Sequence, residues 1–269
     1  MYKVMKIRKR SQFPNAPVRY RILEEPDPVL KVLQKKLLRK MQLLANTAPL
    51  PNICGFMGPH TGTAQAASFH TDAKYLLQMD IKNFFGTVNE RMVRISLMNW
   101  LCLSPAVAEA IAKICVKDDH LPQGAPCSSY LANIAAMDMY CHLYEYSEAA
   151  GLQFSVYVDD MYFSSDDKEK LECAISGVKD ILSRYGFSLT EEKVRLSKPG
   201  QRQQVMDVCV ARVENWPVQL QRLSRRERHR VFNAIHSLKV GKDTHSIHHV
   251  MGLVNNARRV KDPHWLTMA

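Results

Sequence analysis

Residues 154–165 read FSVYVDDMYFSS, two apolar arms that meet at a pair of adjacent aspartates, Asp159 and Asp160. Apolar and aromatic runs on both sides of a short polar step predict a β-hairpin with the carboxylates at its turn. Adjacent carboxylates in apolar surroundings repel each other, and a bound divalent cation removes that repulsion. Taken alone, the hairpin is equally compatible with a structural acidic turn.

A further aspartate lies in an apolar strand about 80 residues upstream. The segment YLLQMDI, residues 75–81, has the pattern of a buried strand and contains Asp80. A lone aspartate in such a strand is more often a capping or edge residue, but two acidic sites of this kind indicate one metal centre. Magnesium prefers a few carboxylates together with substrate phosphates. Two such ions about 4 Å apart can activate a 3′-hydroxyl and stabilise a leaving pyrophosphate.

The loop between these acidic sites reads LPQGAPCSSYLAN, residues 121–133. A Gln-Gly step after proline, at the start of a helix, can place an amide and free backbone N–H groups against a nucleotide. On its own, a proline-rich loop that precedes a helix is the simpler interpretation.

The formal net charge of +11 is unevenly distributed along the 269 residues. Residues 1–40 contain 12 Lys/Arg and 3 Asp/Glu, residues 193–269 contain 15 and 5, and residues 41–192 contain 10 and 18. Basic ends around an acidic middle favour a nucleic-acid partner whose phosphates lie along the ends, with cations at the centre. The alternative is a basic surface with no specific partner.

The composition limits the class of protein. With 46% hydrophobic and 23% charged residues, the chain is long enough for one or two globular domains. No apolar run approaches the roughly 18 residues that span a bilayer. We therefore expect a cytoplasmic protein that does not associate with a membrane. The seven cysteines are scattered without a CxxC pair, which favours reduced, buried thiols over zinc or disulfides.

Strand and helix patterns alternate and end in a helical basic tail, which predicts an α+β fold. Helices are expected at 29–44, 90–101, 105–116, 128–151 and 168–186, and in a strand-poor tail near 224–239 and 246–259.

The order DIKNFF, LPQGAPCSSYLAN, YVDD and GFSLTEEKVRL resembles prokaryotic reverse transcriptases, and retron enzymes most closely. RILEEPDPVLKVLQ (21–34) and GLVNNARRV (252–260) extend the resemblance over nearly the whole chain. It implies an RNA-directed DNA polymerase with the right-hand fold of fingers, palm and thumb, with a mixed palm sheet and a helical basic thumb. Fingers and palm would occupy residues 1–195, and the primer-grip region and thumb residues 196–269.

The resemblance also implies roles at the catalytic centre. Asp80 and Asp159 would be the main ligands of two Mg²⁺ ions, Asp160 the third catalytic carboxylate, and the Ile81 carbonyl a further metal ligand. Lys193 would be a candidate for protonating pyrophosphate. A solvated lysine beside a helix is the competing interpretation of Lys193.

Matching positions imply a nucleotide site. Phe85 would be an aromatic steric gate that clashes with a ribose 2′-hydroxyl, so that the substrates are dNTPs. Gln123, with Gly124 beside it, would lie against the incoming nucleotide. Arg21 and Lys9 would hold the triphosphate. In the thumb, Arg225, Arg226, Arg228 and Arg230 would contact the RNA or DNA backbone, with a solvated basic face as the alternative.

Two motifs depart from the retron pattern. Ala66 stands where asparagine is usual before His70, and Val205-Met206-Asp207 replaces a Val-Thr-Gly element. Another defence-associated or group II intron-like reverse transcriptase, a template-independent polymerase, and a non-catalytic RNA-binding scaffold therefore stay open. The retron resemblance implies a structured non-coding RNA template and its cDNA, a branched RNA–DNA hybrid (msDNA), and an anti-phage role with a separate effector or toxin protein.

Overall fold

The computed structural model describes residues 2–8, 20–44, 50–57, 61–71, 73–210, 221–239 and 247–260. In these ranges the strands are β1 (Tyr2–Arg8), β2 (Tyr20–Pro26), β3 (Ile53–Cys54), β4 (Tyr75–Asp80), β5 (Gln153–Tyr157), β6 (Asp160–Ser165), β7 (Arg195–Ser197), β8 (Gln204–Val205), β9 (Val208–Val210) and β10 (Gln221–Leu223). The helices are α1 (Pro28–Leu44), α2 (Thr63–Ser68), α3 (Phe84–Thr87), α4 (Glu90–Leu101), α5 (Pro105–Cys115), α6 (Ser128–Ala135), α7 (Met137–Ala150), α8 (Lys168–Arg184), α9 (Arg225–Lys239) and α10 (Ile247–Arg259), with a 3-10 turn at Glu191–Lys193.

The central sheet has the strand order β3-β5-β6-β4-β7. The β3–β5 pair is parallel and the other pairs are antiparallel, so the sheet is mixed, as the family resemblance implies. Alternation along β4 sends Leu77 and Met79 into the main core, beneath the helices. The opposite face of β4 therefore presents Leu76, Gln78 and Asp80.

A smaller apolar cluster covers part of that opposite face. It joins Leu76 and Tyr162 of the central sheet to β8–β10 and to α9 and α10, through residues such as Val208 and Val231. Side chains from both sides of position 195 share this cluster, and the division into 1–195 and 196–269 stays a prediction.

Two expectations about elements are corrected, and the basic start forms a strand pair for which no element was predicted. The helix expected at 128–151 is broken at Ala136, which is buried and has a φ of −95° and a ψ of 4°, outside the helical region, and neither glycine nor proline marks the break. The tail expected to be poor in strands contains β7 to β10, each too short to show an alternating pattern. The basic start forms the β1–β2 hairpin, whose largely exposed side chains leave no apolar face for a pattern to reveal.

None of the cysteines is in a disulfide. Of the thiols expected to be buried, only Cys54, Cys115 and Cys127 are, and Cys102 and Cys173 are exposed. Within the described ranges, no helix combines the length and apolarity needed to cross a bilayer.

His70 links the segment after α2 to the β5–β6 hairpin by two hydrogen bonds. Its Nδ1 lies 2.8 Å from Ser164 Oγ, and its Nε2 lies 2.8 Å from Ser155 Oγ. The Ser155 hydroxyl donates to the Ala66 carbonyl at 3.1 Å, so His70 Nε2–H donates to Ser155 and the Ser164 hydroxyl donates to Nδ1. Burial lowers the pKa of His70 to about 3, so the ring is neutral.

Replacing His70 by alanine is expected to destabilise the fold by about 3 kcal/mol, because the change leaves a cavity, deprives the buried Ser164 hydroxyl of its acceptor and removes the N–H that donates to Ser155. Denaturant unfolding measures the loss. His236→Ala, at an exposed position on α9, is the matched control and should change stability by less than about 0.5 kcal/mol. Equal effects of the two substitutions would show that the buried histidine contributes nothing.

Candidate active site

The turn between β5 and β6 presents the paired aspartates. Val158 and Asp159 form a two-residue loop, and Val158 has a φ of 60°, in the left-handed region that β-branched residues avoid. The buried Tyr140 hydroxyl donates to the Val158 carbonyl at 2.6 Å and holds the loop in place. Strained backbone of this kind is often found at functional sites.

Asp80 lies directly beside that turn. It ends β4 and is the register partner of Asp160 on β6. The next residue, Ile81, donates its backbone N–H to the Asp159 carbonyl at 2.9 Å. The two acidic segments that the sequence predicts to meet therefore lie side by side on adjacent strands.

The carboxylates form a destabilised cluster of negative charge. Burial, followed by the charge of Asp80, raises the pKa of Asp159. Burial, followed by the charges of Asp159 and Asp80, raises the pKa of Asp160 to about 7. A weak hydrogen bond of 3.5 Å from Gln78 Nε2 to Asp160 Oδ1 opposes this shift only partly. Added positive charge would therefore stabilise the cluster.

Asp80 already has two cationic or polar partners. Thr190 donates its hydroxyl to Asp80 Oδ1 at 2.7 Å, and the Lys193 ammonium forms an ion pair with Oδ2. The Lys193 side chain is otherwise 58% exposed. The contact with Asp80 is not what a freely solvated lysine would make, whereas the proton-donor role expected from the resemblance stays a prediction.

The site fits divalent cations by its donor chemistry rather than by a preformed cage. Within the described residues, no three His, Cys, Asp or Glu side chains surround a common metal position. Thr190 and Lys193 already engage both oxygens of Asp80. Three neighbouring carboxylates are nevertheless hard oxygen donors whose charge Lys193 balances only in part, and such donors are the ligands that Mg²⁺ selects.

Phe85, the expected steric gate, lies close to the LPQG loop. It is half-buried and packs edge-on against Phe84, with ring centroids 5.8 Å apart. Phe84 is buried in the core and contacts Phe187. The Phe85 carbonyl accepts a hydrogen bond of 3.1 Å from the Leu121 N–H, which ties the aromatic pair to the start of the loop.

The loop in turn contacts β2, the strand that contains Arg21. The Glu24 N–H donates to the Gln123 carbonyl at 2.7 Å. Gly124 has a φ of 112°, a conformation that accounts for glycine at this position. Arg21 is exposed, and its charge works to lower the pKa of Asp159, so it lies within electrostatic reach of the aspartates. Lys9 lies outside the described residues.

The four arginines of α9 differ in exposure and in surroundings. Arg225, Arg226 and Arg230 are exposed, whereas Arg228 is half-buried, and Arg230 lies 3.4 Å from Glu227. Arg226 alone among them lines a cavity of about 340 Å³. Gln78, Arg195 and Arg202 line the same cavity, which thereby adjoins Asp160.

Sequence reasoning missed several of these contacts. Gln78 could have been identified from the sequence, because it lies two residues before Asp80 and therefore on the same face of β4. Thr190 and Tyr140 reach the site across long sequence separations that no local pattern reports. Arg195 and Arg202 were visible only as part of the basic C-terminal stretch.

Solved structures support the fold. A telomerase from Candida albicans, in complex with the TWJ fragment of telomeric RNA, matches with a TM-score of 0.59 at 13% identity over 83% of this chain and 46% of its own. An apo telomerase from Candida tropicalis, truncated from its C-terminal domain, matches with a TM-score of 0.53 at 12% identity over 77% and 52%. The expected α+β polymerase fold is confirmed at this level.

Curated relatives point to the same class. The Ec86 retron reverse transcriptase of Escherichia coli is 26% identical over 234 residues, 87% of this chain and 70% of the relative. The Mx65 retron reverse transcriptase of Myxococcus xanthus is 30% identical over 213 residues, 71% of this chain and 48% of the relative. The chain thus spans about half of Mx65 and of the matched telomerases, and more of Ec86.

The family model for reverse transcriptase (RNA-dependent DNA polymerase) matches residues 7–208. This range contains Asp80, the LPQG loop and the Asp159–Asp160 turn, so the match and the geometry concern the same part of the molecule. The chain belongs to the reverse transcriptase family, and its similarity to retron members confirms the resemblance seen in its motifs.

Proposed function

We propose that this protein is an RNA-directed DNA polymerase that extends a primer with dNTPs along an RNA template. The observation that carries the proposal is the register pairing of Asp80 with Asp160, which brings three mutually repelling carboxylates together beside an otherwise apolar sheet. Within this proposal, residues 1–195 form fingers and palm, and residues 196–269 form the primer-grip region and thumb.

Each residue of the site has a distinct task in this mechanism. Asp80, Asp159, Asp160 and the Ile81 carbonyl would hold two Mg²⁺ ions, which when bound supply activation of the 3′-hydroxyl and charge stabilisation at the pyrophosphate. Gln78 keeps the Asp160 carboxylate oriented. Lys193, once released from Asp80, gives a proton to the leaving pyrophosphate.

The nucleotide is selected on the other side of the aspartates. Arg21 and Lys9 bind the triphosphate, with charge-assisted hydrogen bonds that suit fixed cations. Gln123 and Gly124 lie against the nucleotide being added. Phe85 excludes a ribose 2′-hydroxyl by contact with its ring, so dNTPs are preferred.

A primer-extension assay tests the proposal. The purified chain, a heteropolymeric RNA template, an annealed DNA primer, dNTPs and Mg²⁺ should give products that match the template, and a chelator should stop synthesis until Mg²⁺ is added in excess. Absence of extension would favour the RNA-binding scaffold. Products whose sequence ignores the template would favour the template-independent polymerase.

Similarity to Ec86 and Mx65 supports a narrower proposal, in which the template is a structured non-coding RNA and the product a branched RNA–DNA hybrid with a role in anti-phage defence. A separate effector protein would then be a partner. Sequencing the nucleic acid that copurifies with the protein should find cDNA joined to RNA by a 2′-linked branch. Unbranched cDNA would reject the retron part, in favour of a group II intron-like or other defence enzyme, and would leave the polymerase intact.

The arginine-lined cavity beside Asp160 suits the phosphate backbone of the bound nucleic acid. In the part of the chain described, no carboxylate lies within 4.0 Å of the cationic groups of Arg195, Arg202 or Arg226, so their charge is available. Arg195→Gln and Arg226→Gln should each weaken binding of an RNA–DNA hybrid and lower the slope of log K against log salt concentration by about 1.

Arg184→Gln is the matched control for these two variants. Arg184 is an exposed arginine on α8, which packs on the helix-covered face of the sheet. Its removal should leave the salt slope unchanged. If all three variants bind with the wild-type salt dependence, the cavity does not contact phosphate.

A further inference from the structure

Glu24 lies at the centre of a small charged cluster on β2. Its side chain is nearly buried; Oε1 accepts a hydrogen bond of 2.6 Å from Lys117 Nζ, and Oε2 one of 2.7 Å from His120 Nε2. Both partners come from the turn that follows α5, about 95 residues further along the chain. The cluster therefore joins β2 to a distant segment.

The turn that Glu24 holds is strained. Lys117 and His120 pair through backbone hydrogen bonds of 2.9 and 3.0 Å, and between them Asp118 and Asp119 have φ values of 48° and 56°. Two consecutive non-glycine residues in the left-handed region cost energy and persist only when neighbouring contacts hold them. The Glu24 carboxylate binds the side chains at both ends of this turn.

The turn continues directly into the LPQG loop. His120 is followed by Leu121, Pro122 and Gln123, and the Gln123 carbonyl accepts from the Glu24 N–H at 2.7 Å. Arg21 lies three residues before Glu24 on the same strand. Glu24 thus contacts the segment that contains Gln123 through both its backbone and its side chain. Glu24 itself lies on the strand that contains Arg21.

We propose that Glu24 is a positioning residue of the nucleotide site, which fixes Gln123 and Gly124 relative to Arg21 through its contacts with Lys117 and His120. This inference rests on the proposed polymerase function. The alternative is that the cluster is an ordinary buried ion pair, whose loss lowers stability and nothing else.

The charges around Glu24 give the cluster a pH dependence. The titratable groups around Glu24 are its partners Lys117 and His120, Asp118, which forms an ion pair with Lys117, and Tyr2 on β1. Burial works to raise the pKa of Glu24, but the hydrogen bonds from Lys117 and His120 outweigh it and the pKa is lowered. Burial works to lower the pKa of His120, but the hydrogen bonds to Glu24 and to the Asp118 carbonyl, together with the charge of Glu24, outweigh it and the pKa is raised.

The signs of these shifts define a window. The contribution of His120 is complete below its unfolded pKa and is lost as pH rises through its raised folded value. The contribution of Glu24 is complete above its unfolded pKa and is lost as pH falls through its lowered folded value. The cluster is therefore tightest between about pH 4.5 and 6.5, and it loosens as His120 loses its proton.

The test is the dNTP dependence of primer extension. Glu24→Gln should raise the KM for dNTPs about tenfold, because nucleotide contacts are lost, and leave kcat within about twofold, because the aspartates are untouched. Glu109→Gln is the control, since it removes the same charge from an exposed ion pair with Lys113 of equal length, 2.6 Å. The control should keep the wild-type KM.

A second arm uses pH. The wild-type KM should rise as pH increases from about 6.5 to 8.5, whereas His120→Gln, which keeps a hydrogen-bond donor without a titrating charge, should show a flatter profile. A Glu24→Gln protein with a lower unfolding temperature but an unchanged KM would overturn the inference. Should that variant not fold, wild-type and His120→Gln profiles that coincide would overturn it instead. Failure of the wild-type protein to extend any primer would refute the polymerase proposal itself.

Discussion

Replacing Asp159 and Asp160 together by asparagine should slow RNA-templated extension by at least about 10³-fold, while the protein folds and binds RNA as before. Asparagine has nearly the same shape as aspartate but cannot balance the charge of bound cations. Burial and the charge of Asp80 raise the pKa of both carboxyls in the folded state, and the charge of Asp159 adds to the shift of Asp160. Their ionised forms therefore lower stability at neutral pH, and neutralising them should leave the unfolding temperature unchanged or higher.

Single-turnover extension and an RNA-binding titration measure the two properties separately. Asp180→Asn, at an exposed position of α8, is the matched control and should extend normally. Normal extension by the double variant would refute the assignment of these carboxylates. Loss of RNA binding together with extension would instead indicate a structural role.

Replacing Phe85 by alanine or valine should reduce the preference for dNTPs over ribonucleotides by about 10²-fold, measured as the ratio of kcat/KM values. The half-buried ring would occupy the space into which a ribose 2′-hydroxyl extends, and a smaller side chain removes that clash. The backbone hydrogen bond between Phe85 and Leu121 does not depend on the ring, so the LPQG loop should keep its place.

Phe84→Val provides the comparison for this prediction. Phe84 is the neighbouring ring, but it is buried against Phe187 in the core. Its truncation should lower stability and leave sugar discrimination intact. If Phe85→Ala keeps the wild-type discrimination, another side chain is the gate.

The sequence predicts that the three aspartates meet, because local patterns mark the two segments that contain them. Asp80 and the Asp159–Asp160 pair interrupt apolar strands, and strands of this kind must pair within a sheet, so their meeting follows from the pattern. Helices such as α4 and α8 are bounded by Asn89 and Asp167, whose side chains accept from backbone N–H groups and act as caps. These boundaries were predicted to within two residues.

What the sequence could not predict depends on contacts between distant residues. Thr190 reaches Asp80 across 110 positions, and Glu24 reaches Lys117 across 93. Neither contact produces a periodic pattern in the sequence, because each is made by a single polar side chain in a loop or a strand. The β1–β2 hairpin was missed for a related reason, because its stability comes from backbone pairing rather than from an apolar face.

Hydroxyl-radical cleavage by bound iron tests most directly whether residues 80 and 159–160 share divalent cations. With Fe²⁺ in place of Mg²⁺ and a reductant present, the chain should be cut in two separate segments, one around Asp80 and one around the Asp159–Asp160 turn. Excess Mg²⁺ should suppress both cuts, and the Asp159→Asn, Asp160→Asn variant should lose them. Cleavage confined to one of these segments, or located elsewhere in the chain, would contradict a shared metal centre.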